Sequence, residues 1–229
     1  MPALLAVFAH PDDESLSAGG LLARAADAGW HTGVVTATWS AGTHREPELA
    51  EALRLLGAGA PRFLGYADAK VPESAPGEAR LLDAPLEDAV ARLGGYVSEF
   101  GPDVVVTHDA LGGLTGHPDH ARTHEVAAGA AEAAGVPLWS ATHPESALRD
   151  WGALLRPGQT PHAVPEERAD LRIDVRPWLA RKFAALTAHA SEVGRGAAPG
   201  RLAAMPEDVR ERLLGTEWYE TGGAGPEVP

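Results

Sequence analysis

Residues 3–14 read ALLAVFAHPDDE, and the chain continues through SLSAGGLLARAADA to Gly29. The apolar run 3–8 suits a strand buried on both faces, because a strand with one wet face would alternate with polar residues. Residues 14–28 carry helical spacing, and Gly29 stands where a helix ends in the left-handed conformation. A buried strand that passes through an acidic turn into a helix is the opening of a parallel βαβ unit.

The same pattern recurs outward from this stretch. Further strands are expected at 33–38, 62–65, 103–107, 137–141 and 170–175, with helices at 46–56, 83–99 and 118–134 between them. Leu49, Leu53 and Leu56 share one helix face, as do Leu86, Val90, Leu93 and Val97. Such alternation predicts an α/β fold of the doubly wound, Rossmann-like class, with a mainly parallel sheet covered on both faces. Right-handed crossovers then gather the loops that follow the strands on one sheet edge, where ligands of such folds bind.

Beyond residue 142 the pattern loosens. Pro144, Pro157, Pro161 and Pro165 make 143–169 an irregular insertion, expected to form a flap. Helices are expected at 176–190 and 206–214, and the tail 221–229 is expected to be disordered. The 229 residues amount to less than two units of about 150, which favours one domain spanning 1–220.

Composition narrows the chemistry. Thirty-two acids against 19 Lys and Arg leave a formal charge of −13, which argues against nucleic acid and anionic membrane as partners. The chain has no cysteine, so a bound metal must be held by His, Asp or Glu, and no thiol can act as nucleophile. The apolar opening is too short to span a bilayer and lacks a basic leader, so a cytoplasmic protein is expected. No glycine-rich phosphate loop and no G-x-S-x-G is present, which sets aside nucleotide-binding and serine-hydrolase readings.

Two clusters remain: His10-Pro11-Asp12-Asp13-Glu14 and His117-Pro118-Asp119-His120. Each opens an expected helix, and a doubly wound sheet would bring both to one edge. His10 and Asp13, three apart in a tight turn, can offer a nitrogen and an oxygen to one metal ion, leaving Asp12 free beside it. One histidine of the His117/His120 pair can complete a His–Asp–His site while the other faces substrate, with Asp119 orienting an imidazole. Three protein ligands and an open position describe a catalytic site. Acids 12–14 could also serve merely as a helix cap, but a cap needs no histidine pair opposite it.

AHPDDE at 9–14 with GHPDH at 116–120 resembles the PIG-L/LmbE-like family of zinc-dependent N-deacetylases. Arg45 with Glu48-Leu49, Gly65-Tyr66-Ala67-Asp68, and Lys182 with Ala188-His189-Ala190-Ser191 resemble further segments of it, Glu192 standing where glutamine is usual. The resemblance implies one zinc per chain, with Fe(II) or Co(II) as alternatives, held by His10, Asp13 and His120. It implies Asp12 as general base and His117, tuned by Asp119, as the acidic partner. Arg45, Asp68 and His189 enter as substrate-binding residues on the same ground. Thr115 stands where some relatives carry tyrosine, so their oxyanion contact does not transfer.

The implied reaction is hydrolysis of an N-acetylated sugar or similar small molecule to acetate and a free amine. A mycothiol-conjugate-type amidase, an aminosugar or glycopeptide deacetylase, and a non-catalytic metal- or sugar-binding module are the alternatives. Members often assemble as trimers or hexamers, which leaves a homo-oligomer open.

Overall fold

A computed structural model describes residues 1–155 and 158–227. In chain order the elements are β1 (Ala3–Phe8), α1 (Asp13–Asp27), β2 (His31–Thr38), α2 (Arg45–Leu56), β3 (Arg62–Tyr66), α3 (Leu86–Phe100), β4 (Val104–His108) and α4 (Pro118–Ala134). There follow β5 (Leu138–Thr142), α5 (Leu148–Trp151), β6 (Leu171–Asp174), α6 (Leu179–Ala188), α7 (Ala190–Gly194), α8 (Ala198–Ala203), α9 (Glu207–Leu214) and β7 (Thr216–Glu220). The sheet order is β3-β2-β1-β4-β5-β7-β6. β1 to β5 are mutually parallel, whereas β7 runs antiparallel to both β5 and β6. The chain is therefore an α/β fold built on a mainly parallel seven-stranded sheet.

Period-two alternation explains the layers. Leu4, Ala6 and Phe8 of β1 face α1, α2 and α6 through Leu21, Leu22, Leu49, Leu53 and Ala185. Leu5 and Val7 face the other way, toward α3 and α4 through Leu93, Val97, Val126 and Ala130. Each such fully buried side chain contributes about 1.5–3 kcal/mol relative to exposure. Gly20 lets α1 lie close to the sheet end, since a Cβ there would come within 2.3 Å of Val175 Cβ.

Strand order reverses between β1 and β4, so the loops leaving these neighbours diverge and open a crevice at the switch point. The turn 9–12 and the loop 109–117 flank that crevice.

The C-terminal third departs from expectation in three places. β7 has no counterpart among the expected strands, because its two inward residues are Tyr219 and the charged Glu217, and a buried glutamate breaks the apolar alternation. The helix expected over 176–190 ends at Ala188, where His189 leaves helical geometry at φ −75° and ψ 66°. Residues 221–224, expected to trail free, are hydrogen-bonded: Thr221 N–H donates to Asp170, and Ala224 O accepts from Trp139 Nε1 at 2.7 Å. In the irregular stretch, His162 N–H donates to Leu114 O at 2.9 Å, and Val164 bridges to Pro144. Pro157 lies outside the described residues. Among the described residues no helix is long and apolar enough to cross a membrane.

Candidate active site

The turn after β1 and the start of α4 meet at the crevice. His10 Nδ1 lies 3.1 Å from Asp13 Oδ2, His120 Nε2 lies 3.3 Å from that same oxygen, and His120 Nε2 lies 3.3 Å from His10 Nδ1. Three ligands of a tetrahedral ion at about 2.0–2.1 Å stand about 3.3 Å apart. The His10–Asp13–His120 donor set therefore fits a divalent metal ion. Burial opposes charge on Asp13, but the imidazoles of His120, His108 and His10 hold its carboxyl well below the usual range.

Supporting contacts fix these side chains. His108 stacks on the His120 ring with centroids 3.9 Å apart and planes 6° apart, and its Nε2 accepts the Ala9 N–H at 3.1 Å. The far nitrogen of His10, Nε2, lies 3.2 Å from Asp119 Oδ2 and 3.2 Å from Asp68 Oδ2. A carboxylate behind a ligating histidine sets the ring's tautomer and raises its basicity. Asp119 Oδ2 also accepts the Ala69 N–H at 2.9 Å, which ties the β3 loop to this corner.

His117 caps α4, its Nδ1 accepting the Asp119 N–H at 3.2 Å. With Nδ1 so engaged, the ring can donate only through Nε2. Burial, with the neighbouring His10 and His120 rings, pushes His117 down to about 3. The imidazole expected as the acidic partner is thus held toward its neutral form, and the Asp119 carboxylate meets His10 rather than His117.

Asp12 stands at φ 128° and ψ −28° and makes no capping hydrogen bond to α1, so capping does not account for it. Non-glycine residues hold such backbone only where surrounding contacts impose it, at a cost of about 1–3 kcal/mol. Burial and the adjacent Asp13 carboxylate push Asp12 up to about 7, while Arg45 and His189 pull against them. A carboxyl raised toward neutrality suits proton transfer.

The sequence of this crevice has known counterparts. Residues 5–131 match the family described as PIG-L, GlcNAc-PI de-N-acetylase. The chain belongs to the PIG-L family. It is an amide hydrolase of this deacetylase family, and two curated relatives extend the likeness beyond the matched segment. A 1D-myo-inositol 2-acetamido-2-deoxy-alpha-D-glucopyranoside deacetylase of Mycobacterium sp. (strain KMS) is 33% identical, covering 99% of this chain and 86% of that one. The protein of the same description from Mycobacteroides abscessus is 36% identical over 96% and 94% of the two chains. A crystal structure of a deacetylase from the teicoplanin biosynthesis pathway shares the fold at TM-score 0.64 and 22% identity, covering 95% and 97%.

The residues expected to bind substrate in this PIG-L chain divide. Asp68 lies at the site, its Oδ1 accepting the Lys70 and Val71 N–H groups at 2.7 and 3.2 Å. Burial opposes its charge, but the His10 contact holds it well below the usual carboxylate range. Arg45 and His189 are 2% and 0% exposed and present no surface to a ligand in this structure. Arg45 is consumed by Pro11 O and Glu192, with Trp39 stacked on its guanidinium at 5.0 Å. His189 Nε2–H donates to Glu14 Oε1 at 2.9 Å.

The sequence gives Glu14 no role beyond a possible cap, and marks Glu192 only as a departure from the family pattern. Both are buried behind Asp12, and no spacing rule marks a glutamate as buried. His124, on α4, donates Nδ1–H to His108 O at 2.9 Å. A cavity of about 100 Å³ is lined by Asp13, His120, Leu16, Leu114, Trp151 and Lys182, and also by Thr115.

Proposed function

We propose that this chain removes the N-acetyl group from a GlcNAc-type sugar conjugate, using one zinc ion held by His10, Asp13 and His120. The observation that carries this reading is the triangle of His10 Nδ1, Asp13 Oδ2 and His120 Nε2, with edges of 3.1, 3.3 and 3.3 Å. The curated relatives, described as deacetylases of an N-acetylglucosaminyl-inositol, support the substrate class. Fe(II) and Co(II) suit the same donors.

Zinc in such a site supplies Lewis acidity toward the amide carbonyl and the attacking water. The chain's own groups handle the protons. Asp12 takes a proton from the water as its oxygen bonds to the carbonyl carbon. His117 Nε2–H donates a hydrogen bond to the oxyanion that develops as the carbonyl π bond opens. As the C–N bond breaks, the nitrogen leaves with the proton that Asp12 received, giving free amine and acetic acid, which ionises to acetate in water. Asp119 and Asp68, on His10 Nε2, keep Nδ1 free to bind metal. Asp68 is the remaining substrate contact, through the Oδ2 lone pair that His10 leaves open.

Metal-reconstituted protein offered N-acetylglucosaminyl-inositol, simple N-acetyl sugars, a mycothiol-type conjugate and an acylated glycopeptide tests this reading through free-amine release. Amine from the first two supports it. Amine from the conjugate or glycopeptide alone replaces the substrate class, and none from any member revives a binding module.

A further inference from the structure

The peptide joining Pro11 to Asp12 is gripped at both polar ends by buried charged side chains. Its carbonyl oxygen accepts from Arg45 Nη2, and its N–H donates to Glu14 Oε2 at 2.9 Å. The peptide so held leads into the positive-φ conformation of Asp12, which an aspartate does not keep without such contacts.

Each gripping group is braced from one short segment at the junction of α6 and α7. His189 Nε2–H donates to Glu14 Oε1 at 2.9 Å, and Glu192 pairs with Arg45 Nη1. Between them, Ser191 donates its N–H and hydroxyl to Glu48 at 2.8 and 2.7 Å, and Glu48 lies 3.5 Å from Arg45 Nε. The helix is broken at the residue that reaches Glu14. Burying opposed charges here carries a desolvation cost that apolar packing would avoid. What the charges supply instead is direction, since each meets a defined atom of one peptide or its holder.

We infer that segment 189–192 is a brace that aims the general base. His189 works through Glu14, and Glu192 through Arg45, to hold the Pro11–Asp12 peptide and so the Asp12 carboxylate beside the metal ligands. His189, Glu192, Glu14 and Arg45 are positioning residues. The inference rests on Asp12 being the base.

The test compares His189→Leu, His189→Gln and Asp12→Asn in the full-length metal-reconstituted chain, with N-acetylglucosaminyl-inositol as substrate. His189→Leu is expected to lower kcat by about 100-fold with KM changed by less than about threefold, with metal content unchanged by elemental analysis. His189→Gln, whose side-chain amide still donates to Glu14, is expected to recover most of the loss. A crystal structure of His189→Leu is expected to show Asp12 relaxed to negative φ. Retained kcat, a loss confined to KM, no rescue by glutamine, or an unchanged Asp12 backbone would each overturn the brace. Should His189→Leu not fold, Glu192→Leu against Glu192→Gln puts the same question to the Arg45 grip. Full turnover by Asp12→Asn would overturn the base, and the brace with it; an inactive Asp12→Asn beside an active His189→Leu overturns the brace alone.

Discussion

Asp119 stands behind His10, its Oδ2 3.2 Å from the Nε2 that faces away from Asp13. Under the proposed function this fully buried carboxylate steadies His10 as a metal ligand. Asp119→Ala is therefore expected to weaken metal binding by about 10–100-fold. Titration calorimetry on the apo protein measures this directly. Unchanged affinity with a displaced pH–rate profile would return Asp119 to His117.

Asp12 and His10 are neighbours in the turn, and the proposed function gives them separate jobs. Asp12→Asn is expected to bind metal as the parent does and to lose about 10²–10⁴ in kcat. His10→Ala is expected to lose the metal itself. Elemental analysis beside single-turnover rates distinguishes them, and a metal-free Asp12→Asn protein would contradict the assignment.

Lys182 and Glu217 form a pair 2.7 Å apart, their side chains 1% and 2% exposed. Glu217 also accepts the Gly20 and Leu21 N–H groups at 2.7 and 2.8 Å, which pins α1 to β7. Lys182→Met would leave a buried carboxylate without its cation, a change that costs about 3–5 kcal/mol. Urea unfolding of the two proteins reads the difference; a loss below about 1 kcal/mol would mean that the pair is replaceable by packing.

His143 packs edge-on against Trp151, ring centroids 4.6 Å apart. Burial pushes its imidazole down to about 4, with Asp109 opposing and Lys182 assisting. The unfolded value is about 6.5, so between the two the unfolded chain binds more protons and stability falls as pH drops. This contribution is whole above pH 6.5 and is lost as pH approaches 4. Near pH 5, His143→Phe is expected to take up about one proton fewer on unfolding, measured from denaturant midpoints across pH. Identical pH slopes would show that His143 is already charged in the fold.

What the sequence disclosed follows from range. The His10–Asp13 and His117–His120 spacings are local, and two parallel strands bring them together, so the approach of His10, Asp13 and His120 is legible in the sequence. The partner of Asp119 was not, because it depends on where the β3 loop sets Ala69 across the crevice. Arg45 and His189 read as substrate contacts because burial is invisible in a polar side chain's name. β7 escaped for the same reason: its inward face carries Glu217, whose cation lies in a different helix.

Under the proposed function His10, Asp13 and His120 hold one metal ion that hydrolysis requires. Apo protein titrated with zinc, with amine release from N-acetylglucosaminyl-inositol followed at each addition, puts this to the test. Activity is expected to rise in proportion to metal and level off at one ion per chain, with His10→Ala flat throughout. Turnover by the exhaustively chelated protein, or by His10→Ala at the parent rate, would contradict it.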